Sequence, residues 1–129
     1  MENIRIPVSP GELLDKITIL EIKAKQIPDG EKLRNVKTEL DLLEQIWKQS
    51  SIDNDKMREL KQSLKTTNIA LWEIEDKIRI KEARKEFDQE FVELARSVYL
   101  QNDKRAATKK EINVLLGSGI MEEKSYAEY

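Results

Sequence analysis

Between Glu31 and Leu116 the chain contains neither proline nor glycine. Tight β-hairpin turns rely on such residues for their backbone angles, so a run of this length is suited to long helices rather than to a meander of short strands. The whole sequence of 129 residues holds only 4 Gly and 3 Pro, and aromatic residues make up 5%, which also argues against sandwiches and barrels. Charged residues reach 37% against 39% hydrophobic, a balance expected of helices that bury one stripe and solvate the rest. The length is that of one domain. Residues 1–129 are therefore read as a single helical-bundle domain, with an extended arm over 1–8 and a tail over 117–129.

Ile4, Ile6 and Val8 alternate with polar residues and Pro7, the pattern of an extended arm. Ser9 is placed to cap a first helix, Pro10 to occupy its first position and Glu12 to face its dipole. Leu13, Ile17, Leu20, Ala24 and Ile27 recur at helical spacing, and Leu14, Ile19 and Ile22 widen the apolar face, so this helix is expected to touch more than one neighbour. Pro28 and Asp29-Gly30 stop it. A second helix is expected from Glu31 to Lys48 on Leu33, Val36, Leu40, Leu43 and Trp47. After the polar break at Ser50, Ser51, Asp53, Asn54 and Asp55, with an Asp as cap, a third carries the seam Met57, Leu60, Leu64, Thr67, Leu71, Ile74 and Ile78. This coiled-coil-like seam is also a candidate homodimer interface.

Phe87-Asp88 is read as the turn into a fourth helix, with Asp88 as cap and Phe87 and Val92 as a hydrophobic staple. There the apolar series Phe91, Leu94, Val98 gives way to Asn102, Arg105 and Lys109 before Ile112 and Leu116. A helix break at Asn102-Asp103 is the preferred reading, with polar groups entering a shared face as the alternative. The fold expectation is all-α: an antiparallel bundle of two helical hairpins, four to five helices in all.

Cysteine and histidine are both absent. That removes disulfides, thiolate nucleophiles, imidazole or thiolate zinc sites and every Ser-His or Cys-His pair. The net charge is −2, and the one basic cluster, Lys104, Arg105, Lys109 and Lys110, is half offset by Asp103 and Glu111, so no nucleic acid partner is expected. The longest apolar stretch, Ile17 to Ile22, is interrupted by Thr18 and Glu21, and no signal-peptide core is seen. The expectation is a soluble cytoplasmic protein without a membrane partner.

Read as a helix, the segment around Trp72 places Asn68, Trp72, Glu75, Arg79 and Glu82 on a stripe beside the seam, with Asp76 at its rim. An antiparallel turn near Phe87 sets Asn68 opposite Arg105 and Glu75 opposite Val98, so this stripe meets Arg96, Tyr99, Asn102, Asp103, Arg105 and Lys109. The candidate ligand-binding set is Asn68, Trp72, Glu75, Asp76, Arg79, Arg96, Tyr99, Asn102, Asp103, Arg105 and Lys109, a mixture suited to a small anionic ligand. A solvated ion-paired face, or a buried pair that sets register, explains the same residues structurally. The alternative enzymatic reading is a Mg-dependent hydrolase or transferase accessory acting on phosphate-containing molecules, with Glu75, Asp76 and Asp103 on the metal and Arg79 and Arg105 on phosphate. Glu73-x-x-Asp76 and Glu90-x-x-Glu93 resemble, in reversed order, the paired acidic motifs of all-helical nucleoside triphosphate pyrophosphohydrolases. No catalytic residue is assigned. Glu12 with Lys16 reads as a surface pair, Glu21 as partly buried, and the segment around Glu122 as a strap over the bundle.

The strings PVSPGELLDKITILEIK, NIALWEIEDKIRIKE, FDQEFVELARSVYLQNDKRA and IMEEKSY resemble the signature blocks of an uncharacterised family of small bacterial and phage proteins, a domain of unknown function. The resemblance runs from Pro7 to Tyr126 and implies no activity, cofactor or catalytic residue. Proteins similar to these are sometimes encoded near sugar-transfer or cell-surface polysaccharide functions, which implies a link to nucleotide-sugars or transferases.

Overall fold

A computed structural model describes all 129 residues and contains four helices and no strand. They are α1 (Pro10–Gln26), α2 (Glu31–Gln49), α3 (Asp55–Ala83) and α4 (Gln89–Leu115). Residues 1–9 precede α1 without helix or strand, and Ile4 and Ile6 on this arm are exposed. None of the helices is long and apolar enough to cross a membrane.

Local chemistry accounts for the starts of α1, α3 and α4 and for the ends of α3 and α4. The Ser9 hydroxyl accepts from the Glu12 amide at 3.2 Å, with Pro10 opening the helix, so an otherwise orphaned N–H is satisfied. Asn54, rather than a neighbouring Asp, caps α3 by accepting from the Met57 amide at 2.9 Å. Asp88 caps α4 through the Phe91 amide at 3.0 Å. Phe87 also makes an edge-to-face contact with Phe91, ring centroids 5.2 Å apart. Lys85 ends α3 and Gly117 ends α4 at positive φ, each closing a paired hydrogen-bond motif: Glu86 to Lys81 and Lys85 to Glu82, then Ser118 to Asn113 and Gly117 to Val114.

α1 and α2 form one hairpin, α3 and α4 a longer one, and α1 touches all three other helices. α1 lies across the long hairpin. Its first turn meets α4, where the Gly11 amide donates to Asn113 Oδ1 at 2.8 Å, and its later turns meet α3, where Glu21 faces Lys61 and Lys65. Gly11 is required at the first crossing, because a Cβ there would lie 2.6 Å from the Lys109 carbonyl oxygen. The core gathers Leu13, Leu14 and Ile17 of α1, Trp47 of α2, Met57, Leu60 and Leu64 of α3 and Ile112 of α4. The first half of the α3 seam is thus buried within the chain, whereas Leu71, Ile74 and Ile78 are only half-buried.

The expected break in the fourth helix does not occur: α4 runs unbroken through Asn102-Asp103. Its polar positions enter a shared face instead, because a carboxylate on α1 meets Arg105 and Lys109. A buried ionic partner removes the reason for the helix to turn away.

Candidate functional site

The buried polar centre of the molecule is Asp15, fully inaccessible between Leu14 and Lys16 on α1. Its Oδ1 accepts from Asn68 Nδ2 at 2.9 Å and from Arg105 Nε at 3.0 Å, and its Oδ2 accepts from Arg105 Nη2. The second amide hydrogen of Asn68 goes to Thr18 Oγ1 at 2.9 Å, whose hydroxyl donates to the Asp15 carbonyl at 2.8 Å. Burying a carboxylate is tolerated only when its lone pairs are used and a countercharge is close, and both conditions are met here. Asn68 and Arg105, expected to lie opposite one another, meet through this α1 carboxylate.

Lys109 extends the network. Its ammonium donates to Glu12 and to Glu122 of the tail, each at 2.7 Å, and lies 3.9 Å from Asp15. Burial pulls the Lys109 ammonium down, but the hydrogen bonds to Glu12 and Glu122 outweigh it and hold the group above its ordinary value. The hydrogen bond to Asp15 likewise raises Arg105, and the one from Lys109 lowers the Glu122 carboxyl. Glu12 does lie 3.9 Å from Lys16, as read from the sequence, but its closer partner is Lys109. Glu21 is partly buried as expected, with Lys61 at 3.3 Å and Lys65 at 3.7 Å.

Ten of the eleven residues singled out from the sequence divide among three hollows. Asn68, Trp72, Glu75, Asp76, Arg79 and Arg105 line a groove of about 350 Å³ between α1 and α3, walled on the α1 side by Ile19 and Ile22. Tyr99, Asn102 and Asp103 line a separate hollow of about 850 Å³ against the C-terminal tail. Arg105 and Lys109 line a third, of about 270 Å³, with Glu12, Glu122 and Lys124, so Arg105 is a wall of two hollows. Arg96 lies apart from all three, its Nε donating to the Tyr99 hydroxyl at 3.4 Å. Within the groove Glu75 accepts from Arg79 Nε at 3.0 Å, and Arg79 remains mostly exposed.

The metal set Glu75, Asp76 and Asp103 does not assemble. Glu75 and Asp76 face the groove, Asp103 faces the tail and accepts from the Tyr129 hydroxyl, and no group of three or more acidic side chains able to hold a metal ion forms. The physical reason is that Asp103 and Arg105, two residues and about 200° of rotation apart on α4, point to opposite sides of the helix.

Sequence reasoning missed Asp15, Thr18, Glu12 and Asn113. The signal was present in α1, where apolar residues at Leu14, Ile17, Ile19 and Ile22 surround Asp15 and Thr18 on the helical surface, so polar groups in their midst had to be buried. The strap reading of the tail agrees with its contacts: Glu122 on Lys109, and the Tyr129 ring 5.1 Å from that of Tyr99. No curated protein and no solved structure matches the chain. One family does, over residues 4–129, covering the polar centre and all three hollows; the chain belongs to DUF6165, a family of unknown function.

Proposed function

We propose that this protein is a small-molecule binding module whose site is the groove between α1 and α3. The observation that carries the reading is the lining of that groove. One tryptophan, Trp72, shares a hollow of about 350 Å³ with two carboxylates, Glu75 and Asp76, two arginines, Arg79 and Arg105, and the amide of Asn68. That volume lies in the range of ligand sites, and an apolar wall with a few convergent polar groups is their usual make-up. Ile19, Ile22, Leu71 and the indole offer a flat apolar face, the carboxylates accept hydroxyl hydrogens, and the arginines take an anionic group. Arg105 is held by Asp15 through Nε and Nη2, which presets its position and reduces the ordering cost on binding.

The ligand class that satisfies every wall is a phosphate-bearing molecule with a hydroxyl-rich or planar body, such as a sugar phosphate, a nucleoside diphosphate or a nucleotide-sugar. The test is a thermal-shift and fluorescence panel of these compounds with inorganic phosphate as the small-anion arm. Trp47 is in the core and Trp72 in the groove, so a Trp72→Phe variant assigns any fluorescence change. A true ligand at a hundredfold excess over its Kd adds about 2.7 kcal/mol of stability, a shift of several degrees. Asp76→Ala abolishes that shift while leaving the unliganded Tm close to wild type. No shift and no Trp72 response across the panel would sink the reading.

A further inference from the structure

We infer that the hollow between α4 and the C-terminal tail is an aromatic cage for an alkylammonium ligand, a methylated or quaternary amine. This goes beyond the groove reading and does not depend on it. The chain has 3 tyrosines, and Tyr99, Tyr126 and Tyr129 all line this one hollow of about 850 Å³. In a sequence with so few aromatic residues, their convergence from α4 and two positions of the tail needs a reason. The Tyr99 and Tyr129 rings stand nearly perpendicular, at 79° with centroids 5.1 Å apart, so they form two walls of a corner rather than a closed stack. The Tyr129 hydroxyl donates to the Asp103 carboxylate. That bond fixes the ring and sets a negative charge beside the corner.

The charge of the hollow selects the ligand. Of the lining side chains Asp103 and Glu128 are negative and Lys124 positive, and the Arg96 guanidinium bonds the Tyr99 hydroxyl from outside the lining, so the attraction for a cation rests on the two carboxylates set beside the rings. A cation is already present: the Lys124 ammonium lies 6.0 Å from the centre of the Tyr126 ring, at the outer reach of a cation–π contact. A primary ammonium is a compact, strongly hydrated charge and gives up its water reluctantly. An alkylammonium spreads the same charge over methyl groups that pack on ring faces, so it displaces Lys124 from the Tyr126 ring.

The test is titration of the full chain with tetramethylammonium and choline, read from the tyrosine ring resonances, with neopentyl alcohol as the neutral isostere. Saturable shifts with the cations and none with the alcohol are expected. Tyr126→Leu, a change at an exposed residue, weakens binding roughly fivefold to tenfold, with an unchanged circular dichroism spectrum. Lys124→Ala removes the built-in competitor and tightens binding. Response in K124A alone still supports the cage, with Lys124 as its resident occupant. Absence of saturable shifts in both wild type and K124A, or an equal response to the alcohol, overturns it.

Discussion

Lys109 and Lys81 lie toward opposite ends of the long hairpin, and each faces three carboxylates. Lys109 meets Glu12 and Asp15 of α1 and Glu122 of the tail. Lys81 meets Glu86, Asp88 and Glu90 at 3.3, 2.7 and 3.3 Å, in the α3–α4 turn and the first turn of α4. The first cluster ties together segments far apart in sequence, next to a carboxylate that has no access to water. The second is local: the Lys81 side chain is only 14% exposed, but its three carboxylates are 44%, 52% and 65% exposed, so water competes for each of them. Apolar packing divides the same way: Leu64 is fully buried where α1 crosses the hairpin, whereas Ile78, on the same seam nearer the α3–α4 turn, is half-buried. Identical residue types therefore hold the fold at one end and only shape a turn at the other, because what differs is how many elements exclude solvent around them.

The largest effect expected is at Asp15. Its replacement by Ala strands Arg105 and the Asn68 amide without their acceptor, and costs about 3–5 kcal/mol by denaturant unfolding. A loss below that of an ordinary surface pair would break the contrast between the two ends. The seam sharpens it next: Leu64→Ala costs about 2–5 kcal/mol and Ile78→Ala about 1 kcal/mol, since the cavity and transfer losses scale with what was buried. Equal losses at the two positions would mean that something else covers the distal seam in solution, and sedimentation would then identify a second copy.

Smaller effects belong to the tail and the turn. The Glu122 carboxyl is lowered from 4.5 and the Lys109 ammonium raised from 10.5. The lowered acid contributes above its unfolded value and is lost as the pH falls through the folded one, and the raised base contributes below 10.5 and is lost as the pH rises further. Tail docking, followed by amide resonances or by limited proteolysis after Gly119, is accordingly retained between these limits and weakened beyond either of them. Glu122→Gln removes that acid step. Least of all, Lys81→Ala leaves Tm unresolved from wild type, even though Lys81 has as many acidic partners as Lys109.

Most of the fold was legible because helix caps and apolar periodicity are local signals. Ser9-Pro10, Pro28, Asp88 and Gly117 mark their boundaries in the sequence, and the 3.6-residue spacing of Leu13, Ile17 and Leu20 or Met57, Leu60 and Leu64 shows which faces turn inward. The groove was legible in part, since Asn68, Trp72, Glu75, Asp76 and Arg79 share a helix and spacing alone places them together. Residues on α4 were harder: a single helix can serve three hollows, and the rotation that separates Asp103 from Arg105 matters only once α1 and the tail are in place. The burial of Asp15 was legible from the apolar residues around it on α1, but what it meets was not. Its partners are 53 and 90 residues away, and helical spacing carries no information about contacts of that range. The uninterrupted α4 was misjudged because Asn102 and Asp103 have weak intrinsic preferences, which tertiary pairing at Arg105 and Lys109 overrides.

That continuity makes α4 a ruler. At 1.5 Å per residue, Glu90 in the turn cluster and Lys109 in the buried one are held roughly 30 Å apart along a rigid rod, several screening lengths at physiological ionic strength, about 8 Å each. The two ends are thus electrically deaf to each other, and a chain altered at both Asp15 and Lys81 loses only the sum of its separate losses.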